Sequence, residues 1–248
     1  MVKIGLIGGS GLEKLNIFQK IEEIQVETPC GMPSSTFFHG TTGNCEIYIL
    51  SRHGRQHTIT PSQVNNRANV DAFRQLGCQY ILATTACGSL RDEIQRGDIV
   101  IPDQFIDFTR LRVNTFYDHF NPGEVKHTPM ADPFSQELRL LLINGCKEMG
   151  LNFHPAGTIV TIEGPRFSTR AESKMFRLLG ADVINMSIAP EAALANEAGI
   201  PYACIALSTD YDSWKQDEEP VTWDCIWEVF TNNVKHVTEL IVNVLEKF

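Results

Sequence analysis

The sequence lacks the paired cysteines of a disulfide-stapled or zinc-ribbon protein. Its seven cysteines are odd in number, scattered along 248 residues and never spaced as CxxC. Small secreted domains and structural zinc sites depend on such pairs, whereas unpaired thiols are typical of reducing compartments. The cysteine pattern therefore predicts a cytoplasmic protein without a disulfide framework.

Long apolar runs and an excess of positive charge are also missing. No stretch approaches the length of a membrane span, and no basic-then-apolar signal precedes the strand-like residues 4–7. With 21 Lys and Arg against 30 Asp and Glu, the formal net charge is -9. Nucleic acid, which attracts basic faces, and membranes are therefore not expected partners. A small anion is still compatible with this charge, because a few Arg, His and backbone N–H groups suffice to bind it.

What is present indicates one α/β domain over residues 1–248. Hydrophobic residues make up 43% of the chain and charged residues 21%, which is usual for a globular domain. No internal repeat, low-complexity tract or linker divides the chain. Hydrophobic periodicity predicts helices over 61–77, 135–150, 169–180 and 222–248. It predicts strands over 4–7, 35–39, 46–50, 80–85, 97–102, 157–162, 183–186 and 202–207.

A glycine-rich turn follows the first strand. Gly8, Gly9 and Gly11 surround Ser10. Glycines let backbone N–H groups approach an anion closely, and Ser10 adds a hydroxyl donor. Lys14 stands where the dinucleotide fingerprint needs its third glycine, and no Walker A pattern is present. Anion binding and a turn needed only for its tight geometry both remain open.

A concentrated cationic loop, SRHGRQH, follows the strand at 46–50. It contains Arg52, His53, Arg55 and His57 within six residues. Zinc is one interpretation, since the two histidines are four apart, but the glutamate of HExxH is missing and the arginines would repel a cation. Oxyanion binding by Arg, helped by His53, fits better. A solvated surface loop is the remaining alternative, which the glycine inside the cluster disfavours.

Two later strands lead into residues able to do chemistry. The strand at 80–85 leads into ACGS, where Cys87 is either a nucleophile or a structural thiol, with no activating partner nearby in sequence. The last strand leads into STDYDSW, where Asp210 and Asp212 are two residues apart. Two carboxylates behind a buried strand suit acid–base chemistry or recognition of an amine. Capping of a helix by Asp is equally consistent with the pattern.

Two polar junctions lie in the stretch 158–197. The β-branched run 157–162 predicts a buried strand, and Thr169 and Glu172 have capping-box spacing, so a helix is expected to begin there. A short strand at 183–186 follows, and Pro190 suits the first turn of another helix. Ligands of open α/β sheets collect at the carboxyl ends of strands. The junctions at 163–168 and 185–187 are therefore both expected at the site.

A long irregular stretch spans residues 110–132. Loops of this length are usually functional or interfacial. Phe116, Tyr117, Phe120 and His127 make it apolar enough to pack against another surface, such as a neighbouring subunit.

Six stretches in order, GLIGGSGL, SRHGRQH, TTACGSL, TIEGPRFSTRAE, GADVINMS and STDYDSW, resemble the trimeric purine nucleoside phosphorylases. Within them, the chain is most similar to the 5'-methylthioadenosine phosphorylases. The resemblance implies a single domain with a mixed, partly barrel-like β-sheet flanked by helices, assembled as a homotrimer or a dimer of trimers. It also implies attack of phosphate on C1' of 5'-methylthioadenosine, giving adenine and 5-methylthioribose 1-phosphate. Phosphate would be a co-substrate, with no metal or organic cofactor.

The resemblance also assigns roles to residues of this chain. Asp210, Asp212 and His53 would be catalytic. Phe167 would pack on the purine, Met186 would contact the ribose, and Tyr211 would join the two aspartates in binding substrate. His127 of a neighbouring subunit would wall the 5' group. Phosphate would be held by Ser10, Arg52, His53, Thr85, Ala86 and Ser187.

Three positions bear on which nucleoside is used. Relatives that act on 6-oxopurines carry Glu where Ser168 stands and Asn where Asp210 stands, so both residues here favour adenine. Trp223 replaces a smaller aliphatic residue of the expected 5' pocket, and the chain stops at Phe248, short of a segment that covers that pocket in longer relatives. The 5' substituent therefore stays open. Adenosine, a 6-oxopurine nucleoside, phosphate-independent hydrolysis and non-catalytic purine sensing are the alternatives.

Overall fold

A computed structural model describes residues 1–8, 21–217 and 222–248, apart from the side chains at 223, 225 and 230. The glycine-rich turn beyond Gly8, with Ser10, and the side chain of Trp223 lie outside the described residues. Eleven strands of the described part form one sheet. They are β1 Val2–Gly8, β2 Glu22–Ile24, β3 Phe37–Thr42, β4 Cys45–Ser51, β5 Tyr80–Ser89, β6 Ile99–Val100, β7 Gln104–Phe108, β8 Phe153–His154, β9 Thr158–Ile162, β10 Val183–Asn185 and β11 Tyr202–Tyr211.

The sheet is mixed and branches at β5. Its main path runs β2-β3-β4-β1-β5-β10-β9-β7, and β11 also pairs with β5 and with β6. The first half of β5 runs parallel to β1, whereas its last residues pair with β10 in the antiparallel sense. Along its other edge β5 pairs with β11 from residue 81 to residue 89. One strand thus meets three others, which gathers their side chains around it.

Five α-helices of the described residues flank the sheet, with ranges α1 Asn66–Gln75, α2 Gln136–Glu148, α3 Arg170–Leu178, α4 Ile188–Glu197 and α5 Trp223–Leu245. Helices α1 and α4 pack on one face and α2 and α5 on the other. Side chains of β1 alternate between the two faces: Ile7 belongs to the first cluster, and Ile4 and Leu6 belong to the second. Burial on both faces explains why this strand reads as a continuous apolar run. The predicted α/β domain with a helix-flanked mixed sheet is confirmed. None of the described helices is both long and apolar enough to cross a membrane.

The predicted starts of two helices are confirmed, and a third is wrong. Thr169 and Glu172 form a capping box at α3. Ser135 accepts a hydrogen bond from the backbone N–H of Leu138 at the start of α2. The helix predicted from Pro61 instead begins at Asn66, after a 3₁₀ turn at Pro61–Gln63. The reason is local: Val64 is extended, and the side chain of Asn65 caps the new start.

Strands β5 and β11 extend beyond their predicted ends at 85 and 207. The small polar residues that follow continue as strand, because the two strands pair with each other up to Ser89 and Tyr211. Asp210 therefore lies within a strand, so the helix-capping alternative is wrong for it. The stretch 110–132 is irregular, as predicted.

Candidate active site

A cavity of about 200 Å³ opens where residues of β5 and β11 meet the junctions that follow β4, β9 and β10. Gly88 lies on β5, three residues after Thr85, and it pairs with Asp210 of β11. Three residues of strand span roughly 10 Å. The cavity is lined by Arg52, His53, His57, Pro61, Thr84, Thr85, Ala86, Cys87, Gly88, Ile162, Phe167, Ser168, Ile184, Asn185, Met186, Ser187, Thr209, Asp210, Asp212, Ile226 and Trp227.

Ten residues that the sequence predicts for the site line this one cavity, namely Arg52, His53, Thr85, Ala86, Phe167, Ser168, Met186, Ser187, Asp210 and Asp212. Tyr211 does not line it: its ring packs edge-on against Trp214 and under the ammonium of Lys215. His127 is exposed in the 110–132 loop, with its ring 6.0 Å from that of Phe120. Both junctions predicted at strand ends contribute to the wall.

The guanidinium of Arg52 forms a buried ion pair at one end of the cavity. Its Nε and Nη2 donate to the two carboxylate oxygens of Glu191, and Nη1 donates to the carbonyl of Thr84 at 2.9 Å. Burial lowers the pKa of Arg52, but the Glu191 carboxylate more than reverses this effect, so the net pKa is raised. Arg52 is therefore a fixed cation with its orientation set by three contacts.

Hydroxyl and amide groups cluster beside Arg52. The hydroxyl oxygens of Thr85 and Ser187 lie 3.3 Å apart, and Nδ2 of Asn185 lies 3.4 Å from each. The hydroxyl of Thr161 donates to Oδ1 of Asn185 at 2.7 Å, which turns the amide NH₂ toward the two hydroxyls. Ser187 is also the N-cap of α4 without using its side chain as a cap. These donors at a helix N-terminus can bind an oxyanion.

His53 is a neutral imidazole within this group. Its Nδ1 donates to the carbonyl of Ile59 at 2.9 Å, and its ring stacks on His57. Burial, with a further contribution from Arg52, lowers the pKa of His53 to about 4. A neutral ring with its proton on Nδ1 leaves Nε2 as an acceptor, so His53 can accept a hydrogen bond from a protonated oxygen of a ligand.

Asp210 is a buried carboxyl in the other part of the cavity. Its Oδ1 accepts a hydrogen bond from the hydroxyl of Thr209 at 2.8 Å. Burial raises the pKa of Asp210 to about 6, against the effect of the Thr209 hydrogen bond, and the Asp212 charge raises it further. The pairing register with β5 shifts between Ser208 and Asp210, and the consecutive residues Thr209 and Asp210 both line the cavity. A carboxyl with such a pKa can hold and donate a proton near neutral pH.

Asp212 is the second carboxylate, and Ser168 fixes it. The hydroxyl of Ser168 donates to Oδ2 of Asp212, and the hydroxyl of Ser213 donates in turn to the carbonyl of Ser168 at 2.7 Å. Burial raises the pKa of Asp212, against the lowering effect of the Ser168 hydrogen bond. Ser168 thus connects the junction after β9 to the end of β11.

Apolar side chains complete the wall. Phe167 lies at the cavity edge, and Met186 packs over Gly164, where an added Cβ would lie 2.4 Å from the Met186 sulfur. Glycine is required there because φ of Gly164 is also positive, at +67°. Arg112 donates from Nη1 to the carbonyl of Met186 at 3.0 Å, which ties the 110–132 loop to the site.

The lining residues that sequence reasoning missed include Gly88, Thr209, Ile226 and Trp227, whereas Asn185 belongs to the junction at 185–187 that was predicted at the site. Gly88 and Thr209 lie within the stretches ACGS and STDYDSW, so their closeness to Ala86 and Asp210 along the chain was the available signal. Ile226 and Trp227 belong to the first turns of α5. They reach the cavity only through packing, and no sequence signal identifies them.

Neither a metal centre nor a reactive thiol emerges from the described residues. They contain no group of three or more His, Cys, Asp and Glu placed to hold a metal ion. Cys87 lines the cavity, but burial raises the pKa of its thiol well above the ordinary value. A thiol that resists ionisation is a poor nucleophile, so the structural interpretation of Cys87 fits.

The chain is similar to known proteins over nearly its whole length. The family model of the phosphorylase superfamily matches residues 3–248. The S-methyl-5'-thioadenosine phosphorylase of Xenopus tropicalis is 52% identical over 248 residues, covering 98% of this chain and 88% of the relative. The enzyme of the same name from Danio rerio is 50% identical over 246 residues, with coverages of 98% and 88%.

The fold is also similar to those of solved methylthioadenosine phosphorylases. The methylthioadenosine phosphorylase of Schistosoma mansoni in complex with adenine superposes with a TM-score of 0.92 at 44% identity, covering 98% of this chain and 91% of that one. A variant of the S. mansoni adenosine/methylthioadenosine phosphorylase in complex with methylthioadenosine has a TM-score of 0.91 at 42% identity, with coverages of 98% and 90%. The chain belongs to the phosphorylase superfamily and, within it, to the S-methyl-5'-thioadenosine phosphorylase family.

Proposed function

We propose that the cavity binds inorganic phosphate and an adenine nucleoside together, and that the protein catalyses phosphorolysis of 5'-methylthioadenosine. The observation that carries this proposal is that two kinds of group line one cavity. Arg52, Thr85 and Ser187 form a cluster able to bind an oxyanion, and Asp210 is a carboxyl able to hold a proton. Thr85 and Asp210 lie on the paired strands β5 and β11, with Asp210 beside Gly88, three residues after Thr85. The relatives named S-methyl-5'-thioadenosine phosphorylase and the S. mansoni complex with methylthioadenosine support the choice of nucleoside.

In this reaction the C1'–N9 bond breaks with its electron pair going to the purine, and a phosphate oxygen forms the new bond to C1'. The products are adenine and 5-methylthioribose 1-phosphate. Arg52 and the hydroxyls of Thr85 and Ser187 hold the phosphate, whose charge stabilises the cationic ribosyl transition state. Asp210 donates its proton to N7 as the purine leaves, and its raised pKa supports this role. We propose that no metal or organic cofactor takes part.

The recognition of adenine rests on Asp212. Because Ser168 donates to its Oδ2, Asp212 is held as an acceptor for the exocyclic amine of adenine. A 6-oxopurine would present an acceptor to this carboxylate and leave buried polar groups unpaired, which discriminates strongly. Phe167 packs on the purine and Met186 on the ribose. The alternative substrate is adenosine, which shares the base and differs only at the 5' position.

The test is a substrate panel with and without inorganic phosphate, scored by adenine release. We expect release from 5'-methylthioadenosine only when phosphate is present, with slower turnover of adenosine and little turnover of inosine. Release that ignores phosphate would refute phosphorolysis in favour of hydrolysis. Faster turnover of inosine would show that the base assignment is wrong.

We further propose a cytoplasmic homotrimer. The exposed apolar residues Leu111, Val113 and Val125 of the 110–132 loop support an interface there, with His127 reaching the 5' group of a neighbouring site. Ser10 would add a phosphate donor from the glycine-rich turn, and Trp223 would border the 5' substituent. The six described cysteines are all free and five of them are buried, which supports a reducing compartment.

A further inference from the structure

Glu191 is a buried carboxylate to which no catalytic or binding role is yet attached. It lies in the first turn of α4, and its side chain has no exposed surface. Both oxygens are engaged: Oε1 accepts from Nε of Arg52, and Oε2 accepts from Nη2 of Arg52 at 3.0 Å and from the hydroxyl of Tyr202 at 2.8 Å. Burial and the Glu191 charge both raise the pKa of Tyr202, so this hydroxyl stays a donor.

The contacts of Arg52 divide its five N–H donors into two sets. Glu191 takes the Nε–Nη2 edge in a bidentate pair, and the Thr84 carbonyl takes one N–H of Nη1. One N–H on each terminal nitrogen is left over. Because Arg52 lines the cavity, these two donors are the ones available to a ligand oxyanion.

We propose that Glu191, held by Tyr202, is a positioning residue for phosphate: it fixes the guanidinium of Arg52 so that its remaining donors face the phosphate. The proposal rests on the phosphate site proposed above. Arg52 is almost fully buried, so without the carboxylate its charge would lack a partner and the guanidinium would turn toward another acceptor. Since Glu191 also neutralises Arg52, phosphate is bound through directed hydrogen bonds more than through net charge.

The experiment compares Glu191→Gln, Tyr202→Phe and a matched control. In Glu191→Gln an amide NH₂ faces an N–H of Arg52, so a charged hydrogen bond is lost. The KM for phosphate should therefore rise at least about tenfold. The KM for nucleoside should stay within about twofold of the wild-type value. Tyr202→Phe should raise the KM for phosphate about threefold, because only one neutral donor is lost. The affinity for inorganic phosphate alone, measured by calorimetry, should fall in the same order.

The control is Asp71→Asn in α1. Asp71 is also buried and accepts from Nε and Nη2 of one arginine, Arg74, but it does not line the cavity. This variant should lose stability with an unchanged KM for phosphate. An unchanged phosphate KM in both Glu191→Gln and Tyr202→Phe would overturn the proposal and leave Glu191 a structural residue. If Glu191→Gln does not fold, Tyr202→Phe decides alone. Wild-type adenine release without phosphate would instead refute the proposed function, so the two failures are distinguishable.

Discussion

Asp210 lowers the stability of the folded protein at neutral pH, because its carboxyl is buried. Its ordinary pKa of 3.8 rises to about 6 in the folded protein, chiefly because of burial. Below about pH 4 the carboxyl is protonated whether the chain is folded or not, and it costs nothing. Between pH 4 and 6 the folded protein keeps a proton that the unfolded chain has released, so this group makes stability fall as pH rises.

Asp210→Asn should therefore stabilise the protein at pH 8 while lowering kcat. A shift of two pKa units corresponds to about 3 kcal/mol, an upper estimate for the gain in unfolding free energy. Loss of the proposed proton donor should lower kcat by about 100-fold or more. Denaturant unfolding of both proteins at pH 4 and pH 8 tests this, and most of the stability difference should be lost at pH 4. Equal stability at pH 8 would contradict the raised pKa.

Gly88 permits the position of Asp210. An added Cβ would lie 2.9 Å from Oδ2 of Asp210 and 3.1 Å from Ile184. Gly88→Ala should displace the carboxyl by a few tenths of an ångström or more, and misplacement on that order lowers kcat by up to about 100-fold. Gly157→Ala is the matched control, because its added Cβ would lie 3.0 Å from Val100 but outside the cavity. We expect that control to lose only stability, and normal kcat in Gly88→Ala would disprove the constraint.

The 110–132 loop is anchored to the end of β9 by a single acidic residue. Glu163 accepts from the backbone N–H groups of Arg110 and Leu111 at 2.7 and 3.0 Å, and from Nε of Arg112 at 2.8 Å. Burial opposes the effect, yet these hydrogen bonds lower the pKa of Glu163. Arg112 then reaches the carbonyl of Met186, so loop, β9 and β10 are held together.

Arg112→Gln should release this connection and loosen the proposed ribose contact at Met186. Of the three hydrogen bonds that Arg112 donates, the one to the Met186 carbonyl bears on the nucleoside. Its loss, at about 1.5 kcal/mol for a charged hydrogen bond, corresponds to a rise of roughly tenfold in the KM for nucleoside. Steady-state kinetics with nucleoside varied at saturating phosphate measure it. Arg67→Ala removes an ion pair with the exposed Asp118 of the same loop and should change the KM little. Equal nucleoside KM values for the two variants would rule out a positioning role for Arg112.

In the proposed trimer, a neighbouring subunit would complete the 5' pocket. Leu111 and Val125 are 77% and 64% exposed in the loop that also carries His127. Such apolar exposure is typical of a surface covered by another chain.

Leu111→Asp combined with Val125→Asp should convert a trimer into monomers, because charges would be buried at the interface. Light scattering coupled to gel filtration measures this, together with activity at each protein concentration. Leu178→Asp changes a leucine that is 89% exposed on α3, outside the 110–132 loop, and it should leave the mass unchanged if the interface is formed by the loop. A wild-type monomer, or a double variant that remains trimeric, would exclude this interface.

Local chemistry made much of the fold predictable. The capping box of Thr169 and Glu172 lies within four residues, and the strands of the β3–β4 hairpin are adjacent in sequence, so both could be predicted without tertiary contacts. The ends of β5 and β11 could not, since residues 86–89 and 208–211 remain extended only because each strand pairs with the other. The predicted start of the helix at 61–77 was wrong, because Asn65 caps the helix and Pro61 lies in the turn before it.

The covalent sequence specifies which groups can bind an anion or carry a proton, and in which order strands present them. It does not specify their state. Glu191 is 139 residues from Arg52, so no spacing rule pairs them. The two N–H donors of Arg52 that remain for a ligand are fixed only when α4 packs on the sheet and brings Glu191 to the guanidinium. Likewise, the pKa of Asp210 moves because folding removes water from around it. Desolvation and pairing geometry depend on contacts between residues distant along the chain, and these contacts form only in the folded protein.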